Sequence, residues 1–449
     1  MPDIRTRLGR RAATATVTIA SIGLLAPGIS FAVDADESPS TAQDPPQAPP
    51  ETGFERSGGE EWTTLEEEYA FLEEVDERSD RVTVDEVATT NEDRPMHLVQ
   101  FGSEPRTPEE AAEQPVLLNV CLQHGNEPAG RESCLQTLRD LALDSDPEID
   151  AMLEDSTVLF IPTVNPDGRA ANTRGNANGV DINRDHLALE TPEGQAVAEI
   201  IRDYEADAIN DVHEYGPARE NYDYELLYLW SRNLNVDDRV YDYARELNED
   251  YVVPAAEDEG YTTSVYGIVT SDPPEQIAGG KDERIFRNMA GLRHAAGMLT
   301  ETVTSALPGE TPVESRNRRV DTHTTAQAAT LEFFQDNRHD VASTTDSAAM
   351  RATRQGEIGA GPIYIDGADN EPAGPEDTLS RNACSYSLTA EQYDEVEQTL
   401  DLHGIEVTEG DDGVSVSMAQ PARAVIALLL DERAEYNIVD GEPVSCQAS

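Results

Sequence analysis

Apolar residues first recur at helical spacing at Trp62, Leu65, Tyr69 and Leu72, which predicts an amphipathic helix running to about Glu77. Two shorter alternating runs, Val82 to Ala88 and His97 to Phe101, read as strands joined by the polar turn Asn91 to Arg94. Beyond them the pattern changes. Val116 to Cys121 reads as a continuous apolar strand, Val158 to Pro162 as a second strand and Ala206 to Val212 as a third, with helical stretches from Ala129 to Leu143 and from Glu193 to Tyr204 between them. Strands without a polar face must be covered on both sides. The alternation therefore predicts an α/β domain whose mixed, mostly parallel sheet is sandwiched by helices. Thr324 to about Arg354 is helical in composition and is expected to close this domain.

A Gly/Pro/Asp-rich stretch after Gln355 introduces a second unit. There Thr389 and Gln392 form a capping box for a helix that Gly404 ends, and Val414, Val416 and Met418 alternate after the turn Gly410 to Gly413. A second helix, Gln420 to Arg433, completes a small α+β module. At the other end of the chain, Arg5, Arg7, Arg10 and Arg11 precede the uncharged stretch Ala12 to Ala26, and Ser30-Phe31-Ala32 has the small-x-small pattern of signal cleavage. That apolar core is too short for a membrane span, and both the general and the twin-arginine export routes stay open. The expected organisation is an export signal over 1–32, an acidic Pro-rich linker over 33–59, a main domain over 60–354 and an accessory α+β domain over 355–449. The mature chain is expected to be extracellular, monomeric and without stable membrane insertion.

Charge narrows the classes of partner. Among 449 residues, 32 Lys+Arg stand against 89 Asp+Glu, a formal charge of −57. Such a surface repels phosphate backbones and anionic membranes, so nucleic-acid binding is excluded. Screening at high salt shortens the range of this self-repulsion, so a halophilic-type setting suits the chain, although genomic base composition gives the same bias. Only 38% of residues are hydrophobic, which reflects the acidic surface; the compact apolar runs still suffice for a core. The four cysteines allow three pairings in an exported chain. Chain order favours Cys121 with Cys134 and Cys384 with Cys446, while Cys121 and Cys134 read equally well as two buried thiols.

Candidate chemistry begins at His124-Gly125-Asn126-Glu127, where a strand ends and a helix opens behind Pro128. Open α/β sheets bind ligands at the carboxyl ends of their strands. A His and a Glu three residues apart on such a loop can share one metal, and zinc accepts both donor types at about 2.0 to 2.2 Å. His213, at the end of the strand Ala206 to Val212, supplies a third donor, with Asp211 or Glu214 available to orient it. Two His and one Glu leave a coordination position open, the mark of a catalytic rather than a structural site. Glu301, in Met298 to Thr302, is an acid at the end of an apolar stretch; alone it reads as a surface residue, and beside a metal it reads as a base. Asn165-Pro166-Asp167-Gly168, Arg174-Gly175-Asn176 and Gly179 to Arg184 place arginines in glycine-rich loops, suited to gripping a carboxylate and an oxyanion. The other six histidines, at 97, 186, 294, 323, 339 and 403, read as surface or hydrogen-bonded residues.

In this order, His-x-x-Glu, Asn-Pro-Asp-Gly, Arg-Gly-Asn, Gly-Val-Asp-Ile-Asn-Arg, Asp-x-His-Glu and Thr-Glu-Thr resemble the zinc metallocarboxypeptidases of the carboxypeptidase A type, over roughly Trp62 to Thr304. The resemblance implies one zinc ion on His124, Glu127 and His213, with Glu301 as general base for a metal-activated water. It further implies that Arg174 polarises the scissile carbonyl and that Asn183 and Arg184 hold the terminal carboxylate of a peptide. A substrate-capping tyrosine lacks a diagnostic frame here. Tyr266 is chosen for that place and Tyr261 is its rival.

The expected function is thus that of a secreted zinc-dependent metallocarboxypeptidase acting on peptides with a free C-terminal carboxylate. Three alternatives accompany it: a peptidase of cell-wall stem peptides, an N-acyl amino-acid deacylase on the same fold, and a catalytically silent binding protein.

Overall fold

The computed structural model describes residues 48–144, 146–216, 224–269, 276–278, 280–379, 383–410 and 413–446. The expected export signal lies outside the described residues. Eight strands form the main sheet: β1 Val82–Thr89, β2 Pro95–Phe101, β3 Val116–Cys121, β4 Thr157–Ile161, β5 Ala208–Tyr215, β6 Leu226–Trp230, β7 Thr263–Val265 and, after a small ribbon of β8 Gly267–Val269 and β9 Gln276–Ala278, β10 Ala296–Val303. The order across the sheet is β1-β2-β4-β3-β5-β10-β6-β7. Pairing is parallel from β4 through β3 and β5 to β10, antiparallel where β1, β2 and β4 meet and between β10 and β6, and parallel again at β6/β7.

β3 and β4 are buried along their whole length, Asn119 of β3 donating to the Leu159 carbonyl at 3.4 Å. Helices Leu65–Arg78 and Pro128–Leu143 cover one face, packing Phe71, Leu135 and Leu138 against Leu117 and Phe160. Helices Pro192–Tyr204 and Phe286–Leu292 cover the other, packing Val197, Ile200 and Phe286 against Leu118 and Ile209. Each such side chain removed from water contributes on the order of 1.5 to 3 kcal/mol. The fold is a mixed, mostly parallel sheet between helical layers.

The closing helix begins well before Thr324. It spans Pro312–Ile358, 47 residues, because Thr311 and Glu314 form a reciprocal capping box with Pro312 at the first helical position. Gly359, at φ 60, ends it, so a boundary at residue 354 falls inside this helix. The tether also differs from expectation. Residues 48–59 pack on the domain: Thr52 caps the short helix Gly53–Arg56, and Phe54, 2% exposed, stacks on Trp62 at 5.0 Å between centroids. Arg139 fastens this strap through Glu55 at 2.6 Å and the Pro50 carbonyl at 3.1 Å. Phe54→Ala is expected to lower stability by about 3 to 5 kcal/mol, read as a shift of the urea unfolding midpoint. A free tether would show no shift.

Four antiparallel strands, β11 Ala383–Leu388, β12 Val407–Gly410, β13 Gly413–Ser417 and β14 Glu442–Ser445, form a second sheet in the order β12-β13-β11-β14. Helices Ala390–Leu402 and Arg423–Leu430 back it, the second shorter than the stretch from 420 to 433, as Ala422 precedes it and Asp431 caps its end. The module's core is continuous with the main domain through Leu187, Met289 and Leu292. Disulfides join Cys121 to Cys134 and Cys384 to Cys446, the pairing that chain order favours.

Candidate metal centre

The site is built on three neighbouring strands, β3, β5 and β10, at their carboxyl ends. After β3 the chain turns through Leu122, at φ 57, and passes under the Asn165–Gly168 turn. Contact there is so close that a Cβ on Gly125 would lie 1.9 Å from the Gly168 carbonyl carbon, which leaves only glycine at that position. Asn165 ties the two loops: its Nδ2 donates to the Gln123 carbonyl at 3.1 Å and its Oδ1 accepts from the Gly168 N–H at 2.7 Å. Pro128 then opens the next helix with Glu127 as its N-cap.

This framing brings His124, Glu127 and His213 together, all buried, with one ligand atom from each lying within 4.8 Å of the others. His124 Nδ1 is 2.9 Å from Glu127 Oε1, His213 Nδ1 is 3.0 Å from Glu127 Oε2, and the two Nδ1 atoms are 3.1 Å apart. Each imidazole turns its other nitrogen to a carboxylate: His124 Nε2 to Asp181 Oδ1 at 3.0 Å, and His213 Nε2 to Asp211 Oδ1 at 2.8 Å. Asn183 Nδ2 also approaches His213 Nε2, at 2.9 Å. Burial opposes charge on His213, yet Asp211 and Glu127 push its pKa up to about 10. Burial likewise opposes charge on Glu127, yet the two imidazoles hold its carboxyl well below the usual range. Two inward nitrogens and a carboxylate, each steadied from behind, form a donor set that fits zinc.

Glu301 lies directly across from His213 in the parallel β5/β10 register. Burial pushes its pKa up to about 7, with the neighbouring imidazoles working against the shift and Glu127 adding to it. That value suits a group that takes and returns a proton near neutrality. Arg174, 48% exposed in its side chain, donates from Nε to Asp181 at 2.9 Å and from Nη1 to Glu127 at 3.3 Å. Asn183 is buried, its Oδ1 accepting the Phe286 N–H at 2.8 Å. Arg184 is more open, 40% exposed, with Asp282 at 4.0 Å. Tyr266 is half-buried beside Glu301, whose charge raises the phenol's pKa, while Tyr261 packs into the apolar layer under the long helix.

Sequence spacing missed several participants. Asp181 stands in the Gly179–Arg184 motif, but its reach to His124 depends on a loop path that no periodicity encodes. Of the two acids flanking His213, only Asp211 orients it. Glu214 turns away, accepting from the Ala129 N–H at 3.0 Å and from Arg319 of the long helix at 2.5 Å. Arg287, 3% exposed, stands near Asp211, Glu301, Tyr266 and Arg184 without having any sequence signal beyond its charge. Among the other histidines, His186 bonds to Gln123 at 2.7 Å, His323 to Thr302 at 3.1 Å and His403 to the Leu187 carbonyl at 2.9 Å.

Residues 68–288 match the family model for zinc carboxypeptidases, a stretch that ends before Glu301. Carboxypeptidase 2 of Trichophyton rubrum is 31% identical over 200 residues, 41% of this chain and 37% of that protein. Carboxypeptidase E of Caenorhabditis elegans is 34% identical over 138 residues, 27% of this chain and 29% of that protein. The matched stretch thus spans well under half the length of these relatives. A solved metallo-carboxypeptidase from Burkholderia cenocepacia aligns at 21% identity with a TM-score of 0.48, covering 61% of this chain and 69% of that one.

Proposed function

Because the chain belongs, through residues 68–288, to the zinc carboxypeptidase family, we propose that it is an exported metallocarboxypeptidase that removes the last residue of peptides with a free C-terminus. The observation that carries the reading is the convergence of three buried donors, His124, Glu127 and His213, each imidazole backed by its own carboxylate. Burying this many polar and charged groups together is costly unless a cation balances them. One zinc ion would balance them and, when bound, would act as Lewis acid toward the scissile carbonyl and the attacking water.

The chain's own groups divide the remaining work. Asn183 and Arg184 would bind the terminal carboxylate, and this contact restricts cleavage to the last peptide bond. Arg174 would donate to the carbonyl oxygen as negative charge develops there. Glu301 would take a proton from the water and pass it to the leaving amine nitrogen as the C–N bond breaks. The products are a shortened peptide with a new carboxylate and a free amino acid. Tyr266, beside Glu301, would close over the bound residue.

Export rests on the pattern of residues 1–32 and agrees with two disulfides, which persist in oxidising surroundings. Among the described residues no helix is long and apolar enough to cross a membrane. The C-terminal module, whose core runs into the main domain at Met289 and Leu292, is assigned a stabilising role.

The test is incubation of a peptide mixture with the zinc-loaded protein, with and without chelator, followed by mass spectrometry. Loss of single C-terminal residues that chelation abolishes is expected; trimming from the other end, or none, contradicts the reading. Asp181→Asn is further expected to weaken zinc binding by about 10- to 100-fold while leaving the fold intact, measured by competition against a chromogenic chelator.

A further inference from the structure

Arg287 is a buried cation of the site that the reaction above leaves unused. It follows Phe286, whose N–H donates to Asn183 Oδ1 at 2.8 Å, and Asn183 Nδ2 in turn lies 2.9 Å from His213 Nε2. The side chain thus starts one residue away from the innermost polar contacts of the centre. It is 3% exposed, its Nη2 donates to the Gly280 carbonyl at 2.7 Å, and its Nε is buried without a hydrogen-bond partner. Among the described residues no carboxylate oxygen forms an ion pair with it. The other two guanidiniums differ. Arg174 is committed to Asp181 at 2.9 Å and Glu127 at 3.3 Å, and Arg184 faces Asp282 at 4.0 Å.

Burial disfavours the charge on Arg287 and pushes its pKa down to about 10, while Asp211 and Glu301 favour that charge without forming an ion pair with it. The carboxylates in its vicinity are already engaged. Asp211 holds His213 at 2.8 Å and accepts from Gln123 at 2.6 Å, and Glu301 is the proposed base. In a chain of net charge −57, where surface arginines find acids readily, a cation kept buried and unpaired beside the reacting groups points to an anion brought by the substrate. The terminal carboxylate already has Arg184 and Asn183. A second carboxylate on the same terminal residue would meet Arg287, whose planar fork suits it.

We propose that Arg287 receives the side-chain carboxylate of the residue being removed, so that the enzyme prefers peptides ending in glutamate or aspartate. The proposal rests on the carboxypeptidase reading above and names its substrate class. It makes the centre a two-carboxylate reader, with Arg184 for the main-chain group and Arg287 for the side chain.

The test compares kcat/KM for one tripeptide series ending in Glu, Asp, Gln, Leu, Phe or Lys, using the zinc-loaded full chain and its Arg287→Gln and Arg287→Lys variants. The wild type is expected to favour Glu over Gln by about 100-fold. Arg287→Gln is expected to remove that advantage while changing the Leu-terminated peptide less than about 3-fold, and Arg287→Lys to restore part of it. A wild type that cleaves Leu-, Phe- or Lys-terminated peptides as well as the Glu-terminated one overturns the proposal. So does an Arg287→Gln variant that lowers every substrate by the same factor, since that marks a structural role. Should Arg287→Gln fail to fold, the wild-type ranking and Arg287→Lys still decide. If no peptide loses a C-terminal residue, the carboxypeptidase reading itself fails and this proposal falls with it.

Discussion

Glu301→Gln is expected to bind zinc as the parent does and to lose turnover by about 100- to 10,000-fold, the range supplied by a positioned general base. Glutamine keeps the shape and the strand position opposite His213 but cannot take up a proton. Burial lifts the carboxyl's pKa to about 7, so in the proposed reaction the native group would accept a proton from water and release it to the departing amine. Measuring zinc per chain alongside kcat on one peptide separates the two effects. Full activity in the variant would remove Glu301 from the base role, and loss of zinc would make it a metal-holding residue.

His213→Ala is expected to lose both metal and activity. The substitution deletes one of three donors and leaves Asp211 and Asn183 without the imidazole that each contacts, at 2.8 Å and 2.9 Å. Zinc per chain should fall to background, and the thermal stabilisation that added zinc gives the parent should vanish, since a ligand stabilises only a state it binds. Retention of stoichiometric zinc would place the metal elsewhere. Together the two variants split the centre into a part that holds the ion and a part that moves the proton.

The sheet was legible where strands are buried on both faces. β3 and β4 announce themselves as largely apolar runs, and the helices that follow them show by their spacing. β6 and β7 were not legible, because Leu226–Trp230 lies in a tyrosine- and acid-rich stretch without flanking turn signals and Thr263–Val265 is only three residues long. The first turns of the long helix were hidden for another reason. Arg316, Arg318 and Arg319 make that segment look like a polar loop, although Arg319 is buried in a contact with Glu214. The strap at 48–59 reads as a tether from its prolines and acids, and the one aromatic that anchors it, Phe54, carries no periodic signal.

Within the site, the candidate donors stood out as His and Glu at strand ends. Of their orienting partners, Asp211 stands out beside His213 and Asp181 does not. Asp181 reaches His124 across a loop that sequence spacing cannot join, and Asn183 meets His213 only because the segment between them returns to the sheet edge. Loop-borne contacts of this kind are set by tertiary packing, the layer of information that periodicity lacks.

Anomalous scattering from a crystal of the zinc-loaded protein, recorded on both sides of the zinc absorption edge, tests the central claim directly. The account predicts a single strong zinc peak in contact with His124 Nδ1, His213 Nδ1 and the Glu127 carboxylate. A zinc peak bound elsewhere, or imidazoles at 124 and 213 that bind no common ion, would contradict it.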